Sequence, residues 1–484
     1  MILKVISKYG LAAHLGLLAA LPSAYLFLDA AQLGVALLWV SLVVGIWVLF
    51  CPSILIGERS ANARARVVYS IVRDPAFYFM LLLVGVALVR WLNSGIAMVY
   101  DPEHGVWVVK DAVASFLPAS TSGAGFLPMA LSVALLVVVT GVRHSLGLSA
   151  RMFCGLTTVF VVGLLGLSMA IVACLGVFPE LGVLSSCGMI DTPFAGASFG
   201  MFLVLAIVTG AAAECRKWSH ARGPYVLAVA GTASGLVFFA PSVVAAVYLL
   251  VALIFALFSF AYCARAGSMG GFARMLVLTI LGFSFPVLIM MALAPAELQQ
   301  VKVEGLDLNV AFPVEYDTLR ETISRISKTM WLEHPWCGTG LGAFGLHVPF
   351  IAVKADWAVL PPHVSNAISG YWTILAERGI IGCALLVVGV GIFFWSWCTR
   401  LVSAFMYLRG NDEADIFVFA CPPIVWIVPA VIALAVAELH FSNALSSPDF
   451  IFAFTVPFVL SAASFPRKAP PVVLPEESGQ DGEV

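Results

Sequence analysis

Runs of about 20 consecutive apolar residues recur along this chain, and they constrain its fold more than any other feature. As a helix rising 1.5 Å per residue, such a run crosses the roughly 30 Å hydrocarbon layer of a bilayer. The strands of a membrane barrel would instead read as about ten residues of alternating polarity. Candidate spans fall near 11–28, 33–56, 76–93, 126–142, 152–178, 199–213, 225–240, 243–263, 275–295, 379–398, 416–437 and 450–464. Composition agrees: 61% hydrophobic and 11% charged residues, with a mean hydropathy of +1.02, lie far from the values of a soluble chain. The expected fold is all-α, a polytopic membrane protein of about twelve transmembrane helices. The stretch 225–264 is twice the length of one crossing, so Phe239-Ala240-Pro241-Ser242 is read as a tight turn within it. The first apolar segment lacks a small-residue cleavage site and is read as a retained helix.

Orientation follows from the cations. Lys4 and Lys8, the group from Arg59 to Arg73, Arg143 and Arg151, the group from Arg216 to Arg222, Arg265 and Arg274, Arg400 and Arg409, and Arg467 and Lys468 fall in alternate connections. By the positive-inside rule these connections and both termini are cytoplasmic. Four regions result: membrane helices over 1–295, a long extracytoplasmic loop over 296–370, further membrane helices over 371–465 and a tail, 466–484, whose Pro, Glu and Gly content reads as disordered. A hydrophilic loop this long between membrane helices points to function, because a plain connector is short.

Other classes fall away. No basic patch or motif supports nucleic-acid binding, and no Cys or His pair has metal-ligand spacing. Of the ten cysteines only Cys187 and Cys337 lie clearly in outer loops; an oxidising compartment permits a disulfide between them that the spacing does not require.

Within the loop, residues 317–344 read as an amphipathic helix followed by a glycine-rich turn. Leu319, Ile323, Ile326, Met330 and Trp331 recur at helical spacing, with Arg320, Glu321, Ser324, Arg325 and Lys328 on the other faces. Pro335 ends the helix, and Gly338, Gly340 and Gly342 permit a tight backbone course. Arg325 and Lys328 suit lipid phosphates at a membrane surface.

The order of these parts resembles the O-antigen ligase and O-antigen polymerase superfamily. Arg320 is followed by Glu333-His334-Pro335, by Gly338 to Phe344, by His363 and by Leu375-Ala376-Glu377-Arg378-Gly379-Ile380-Ile381-Gly382 leading into a membrane helix. The resemblance implies a GT-C-like membrane glycosyltransferase without metal or cofactor. Its donor would be a glycan on undecaprenyl pyrophosphate; its acceptor a glycan, a lipid A-core sugar or a protein side chain. Arg320 would hold the pyrophosphate, since a guanidinium fork binds phosphate bidentately and stays charged; a solvated helix charge is the alternative. His363 would be the general base, although it stands about one helical turn further from Glu377 than in the family, with Ile368 in the expected neighbourhood; His334 and His347 are reserves. Arg325, Asn366, Arg90 and Gly340 complete the expected substrate-binding set. For Asn366 the alternative is a helix cap, the more frequent job of such a residue; for Arg90 it is snorkelling to the interface, of equal weight; and Glu377 with Arg378 reads as an ion pair at a helix entrance. The competing readings are a secondary transporter and a non-catalytic scaffold of a polysaccharide assembly complex.

Overall fold

The structure, a computed structural model, describes residues 29–50, 63–110, 112–114, 116–145, 242–265, 314–354, 369–409 and 423–441, with isolated positions at 14–21, 203–204, 270–277 and 451–455. In chain order the described elements are α1 (Ala30–Phe50), α2 (Ala63–Val72), α3 (Pro75–Leu92), β1 (Ser94–Asp101), β2 (Val106–Lys110), β3 (Ser120–Thr121), α4 (Phe126–Ser145), α5 (Ser242–Arg265), α6 (Val314–Glu333), α7 (Phe344–Lys354), α8 (Gly370–Arg409) and α9 (Pro423–Phe441). The described chain is mostly helical. Among the described residues two stretches, Pro75–Leu92 and Gly370–Thr399, are long and apolar enough to cross a membrane. The spans expected at 152–178 and 225–240 and the tail lie outside the described residues, as do nearly all of those at 11–28, 199–213, 275–295 and 450–464. Helix α5 begins at Ser242, where the Pro241-Ser242 break was expected.

Helix α3 shows why its boundaries fall where they do. Asp74 caps it, its carboxylate accepting the Ala76 N–H at 3.0 Å, and Pro75 supplies a preset φ in the first turn. The second carboxylate oxygen meets His144 Nε2 at 3.0 Å, and His144 Nδ1 meets Ser70 Oγ at 2.9 Å. One chain of polar contacts therefore ties the ends of α2, α3 and α4. At the far end Asn93 closes the helix, and its side chain bonds both the N–H and the carbonyl of Ala114. Between these anchors α3 turns large apolar side chains outward, including Leu81, Leu82 and Leu88. Such a surface suits hydrocarbon better than water.

A small sheet departs from the all-helical expectation. β1 pairs antiparallel with β2, from Ala97↔Lys110 to Asp101↔Val106, and parallel with the short β3. Its turn is built by Asp101, whose carboxylate accepts the Glu103 N–H at 3.0 Å and meets His104 at 2.7 Å, with Gly105 at positive φ.

Helix α6 is amphipathic as expected, but its apolar stripe is covered by protein. Ile323, Ile326 and Met330 are buried with Phe344, Val348, Ile351 and Ala376 from α7 and α8. Burying each of the larger side chains contributes about 1.5–3 kcal/mol, enough to hold α6 against the start of α8. Arg325 is exposed and pairs with Glu321 one turn earlier at 2.7 Å; Lys328 is exposed as well.

Candidate functional site

Helix α8 is two helices joined at a break. Gly379 has φ 62 and ψ −164, so the helix from Gly370 stops there and a new one starts at Ile380. A break of this kind strands carbonyls on one side and N–H groups on the other. The glycine-rich loop satisfies both sets. Thr339 and Gly340 donate their N–H groups to the carbonyls of Ala376 and Glu377, at 2.8 and 3.1 Å, and the Thr339 hydroxyl adds a bond to Ala376. In return the carbonyls of Pro335 and Trp336 accept from Ile380 and Ile381, at 2.9 and 3.1 Å. The approach is close enough to exclude side chains: a Cβ on Gly338 would strike the backbone of Glu377, and one on Gly379 the Trp336 carbonyl. The other edge of the loop joins the sheet, Leu341 donating to Ala119 and accepting from Thr121, both at 2.9 Å.

Glu377 completes the crossing. It is 3% exposed, and its carboxylate accepts the N–H groups of Gly342, at 3.1 Å, and Phe344. It thus caps α7, while the neighbouring Arg378 guanidinium attracts it without entering these bonds. The reason is geometric, since adjacent residues on a helix point in different directions. Replacing Glu377 with alanine leaves two donors without their acceptor, and a stability loss of about 3 kcal/mol is expected. Glutamine keeps an acceptor oxygen and should recover most of it. Thermal unfolding of the purified variants checks this; an alanine variant as stable as the parent would refute the capping role.

Beside this crossing lies a cleft of about 420 Å³ between α3, α4 and α8. Its walls are apolar, with Phe79, Leu83, Leu127, Leu131, Leu386 and Phe393 among them. At one end stand Arg90 from α3, Glu377 and Arg378 from α8, and the backbone of Leu341 and Gly342. The Ser120 hydroxyl donates to the Arg90 carbonyl at 3.0 Å, fixing that turn of α3 to the sheet. Arg378 reaches the cleft across Gly382, which lies one turn on and has no side chain to obstruct it. Arg378 lies near enough to repel Arg90, the Glu377 carboxylate attracts both guanidiniums, and among the described residues neither guanidinium makes a hydrogen bond. One carboxylate, already engaged by two backbone N–H groups, leaves that end of the cleft positive. Half-buried like charges are costly unless an anion joins them. A phosphate or pyrophosphate has the charge and the acceptor oxygens to do so.

The expected site residues divide clearly. Arg90 lines the cleft, and Gly340 belongs to the loop that frames it. Arg325 faces away on α6, paired with Glu321. Arg320 falls on α6, one turn before Ile323, and its side chain is outside the described residues, as are His363 and Asn366. His334 and His347 come together with ring centroids 6.5 Å apart, flanking the glycine-rich loop rather than lining the cleft. Cys337 is a free thiol; Cys187 is outside the described residues. No group of three His, Cys, Asp or Glu able to hold a metal occurs among the described residues. Arg378 was the residue sequence reasoning undervalued. The signal was a cation four residues before a glycine at the head of an apolar run. Compared with models of known families and with characterised proteins, the chain matches none.

Proposed function

We propose that this chain is an inner-membrane glycosyltransferase of the O-antigen ligase and polymerase type, moving a glycan from undecaprenyl pyrophosphate to an acceptor hydroxyl on the extracytoplasmic side. The observation that supports this reading is the pair of guanidiniums, outnumbering the single Glu377 carboxylate beside them, at one end of an apolar cleft. A polyprenyl chain suits the apolar walls, and its pyrophosphate suits Arg90 and Arg378. In the reaction the acceptor oxygen attacks the anomeric carbon as the bond from that carbon to phosphate oxygen breaks. Undecaprenyl pyrophosphate departs with the bonding electron pair, and the acceptor proton passes to a base. Two arginines lower the barrier by meeting negative charge as it grows on the leaving group. His363 remains the proposed base, with His334 and His347 in reserve.

One observation favours a transporter: the break in α8 beside charged residues is a device that transporters also use. Detergent solution separates the two readings, because it offers no second compartment. Given the purified protein, lipid-linked glycan and an envelope extract as acceptor, a transferase releases free undecaprenyl pyrophosphate and joins the glycan to the acceptor. A donor that stays intact would overturn the enzyme reading.

A further inference from the structure

The hairpin of β1 and β2 carries two aromatic rings that its own packing does not need. Ile96, Met98 and Tyr100 share one face with Val109 and Trp107, through the pairs Met98↔Val109 and Tyr100↔Trp107. At the base of that face Ile96 is buried with Ala119 and Ala343, and Val109 and Leu346 pack beside them. Further out the support ends. Tyr100 and Trp107 stand edge to face with centroids 5.5 Å apart, 49% and 56% exposed. Beside them Asp101 bonds His104, and Glu103 is exposed. The His104 hydrogen bond, aided by the Glu103 N–H, holds the Asp101 carboxyl below the usual carboxylate range.

We infer that this outer face of the hairpin is a sugar-stacking platform that receives the oligosaccharide of the lipid-linked substrate. The inference rests on the transferase reading and adds to it a subsite for the glycan. Its position follows from continuity. The hairpin leaves the end of α3 that carries Arg90, and Ile96 at its base meets the loop at Gly340, whose neighbours Leu341 and Gly342 line the cleft. A glycan attached to a pyrophosphate held in that cleft therefore emerges beside the hairpin. The chemistry fits as well. A pyranose offers one face of C–H bonds, polarised positive, to the negative face of an aromatic ring. Its hydroxyls donate to an acceptor at the tip of the hairpin, where the exposed Glu103 stands in the turn.

The test uses the full-length protein in nanodiscs and, as probe, oligosaccharide released by mild acid from the lipid-linked glycan of the same cells. Hydroxyl-radical footprinting reads each ring separately. Both rings should react readily in nanodiscs and become protected as oligosaccharide is added. Trp107→Ala and Tyr100→Ala should each weaken binding by roughly tenfold, Trp107→Phe should keep most of it, and Val99→Ser on the opposite face should leave it unchanged. Rings shielded by lipid before any sugar is present, or indifferent to sugar, would overturn the platform. The two ideas fail separately: protection by sugar in a protein that transfers nothing rejects the transferase and keeps the platform, whereas transfer without protection rejects the platform alone.

Discussion

Replacing Arg378 with lysine is expected, on the proposed transferase reading, to lower glycan transfer by roughly two to three orders of magnitude while the protein still inserts and folds. This is the largest functional effect expected of any single conservative change. Lysine keeps the positive charge but concentrates it on one ammonium, losing the planar fork that engages two phosphate oxygens at once. Lysine also keeps the attraction that Arg378 has for the Glu377 carboxylate, so the change removes little that holds the fold. Arg90→Lys should behave alike, since that side chain lines the same end of the cleft. Arg325→Lys, exposed and paired only with Glu321, should transfer normally. Arg320→Lys decides whether α6 adds a third fork: a loss as deep as that of Arg378 would extend the site to that helix. Surface glycan on gels, normalised to protein level, is the readout. Tolerance of lysine at both cleft positions would reject the anion site.

The largest structural effect is expected at Gly379. Alanine there must adopt φ near 62 and would drive its methyl group into the Trp336 carbonyl. Backbone strain of that kind costs about 1–3 kcal/mol. Separating the loop from the break also weakens backbone hydrogen bonds of about 0.5–1.5 kcal/mol each. A loss exceeding about 3 kcal/mol is therefore expected, seen as a sharp fall in melting temperature and in yield of folded protein. Gly391, with open space around it and ordinary helical backbone, is the control, and its alanine variant should be close to neutral. A stable Gly379→Ala protein would mean that the loop does not depend on that close approach.

Hydrophobic run length made several elements legible. The expected spans 76–93, 126–142 and 243–263 correspond within a few residues to α3, α4 and α5, because an apolar run bounded by Asp-Pro or by Asn carries its own start and stop. The sheet was written in the sequence less loudly. Ile-Ala-Met-Val-Tyr and Val-Trp-Val-Val around Asp-Pro-Glu-His-Gly have the β-branched and aromatic content of a hairpin and its turn residues. Beside an apolar span those letters read as its continuation. Arg378 was masked by Glu377: neighbours of opposite charge suggest a pair, and only the three-dimensional fold sends one to the loop and the other to the cleft. The break at Gly379 could not be read locally either, since its partners lie some forty residues earlier. What makes glycine obligatory there is a backbone crossing, which leaves no periodic trace.

That crossing also sets a gauge. Arg90 belongs to α3 and Arg378 to α8, and the glycine-rich loop is hydrogen-bonded both to the α8 break and to the strand segment that grips the Arg90 turn. The spacing of the two charges is thus set by backbone rather than by flexible side-chain stems alone. An anion entering the cleft therefore meets a gap between two positive charges that is set before it arrives, and fits best when its acceptor oxygens span that gap. Selection among anions would then be a matter of length, measured by the chain against itself.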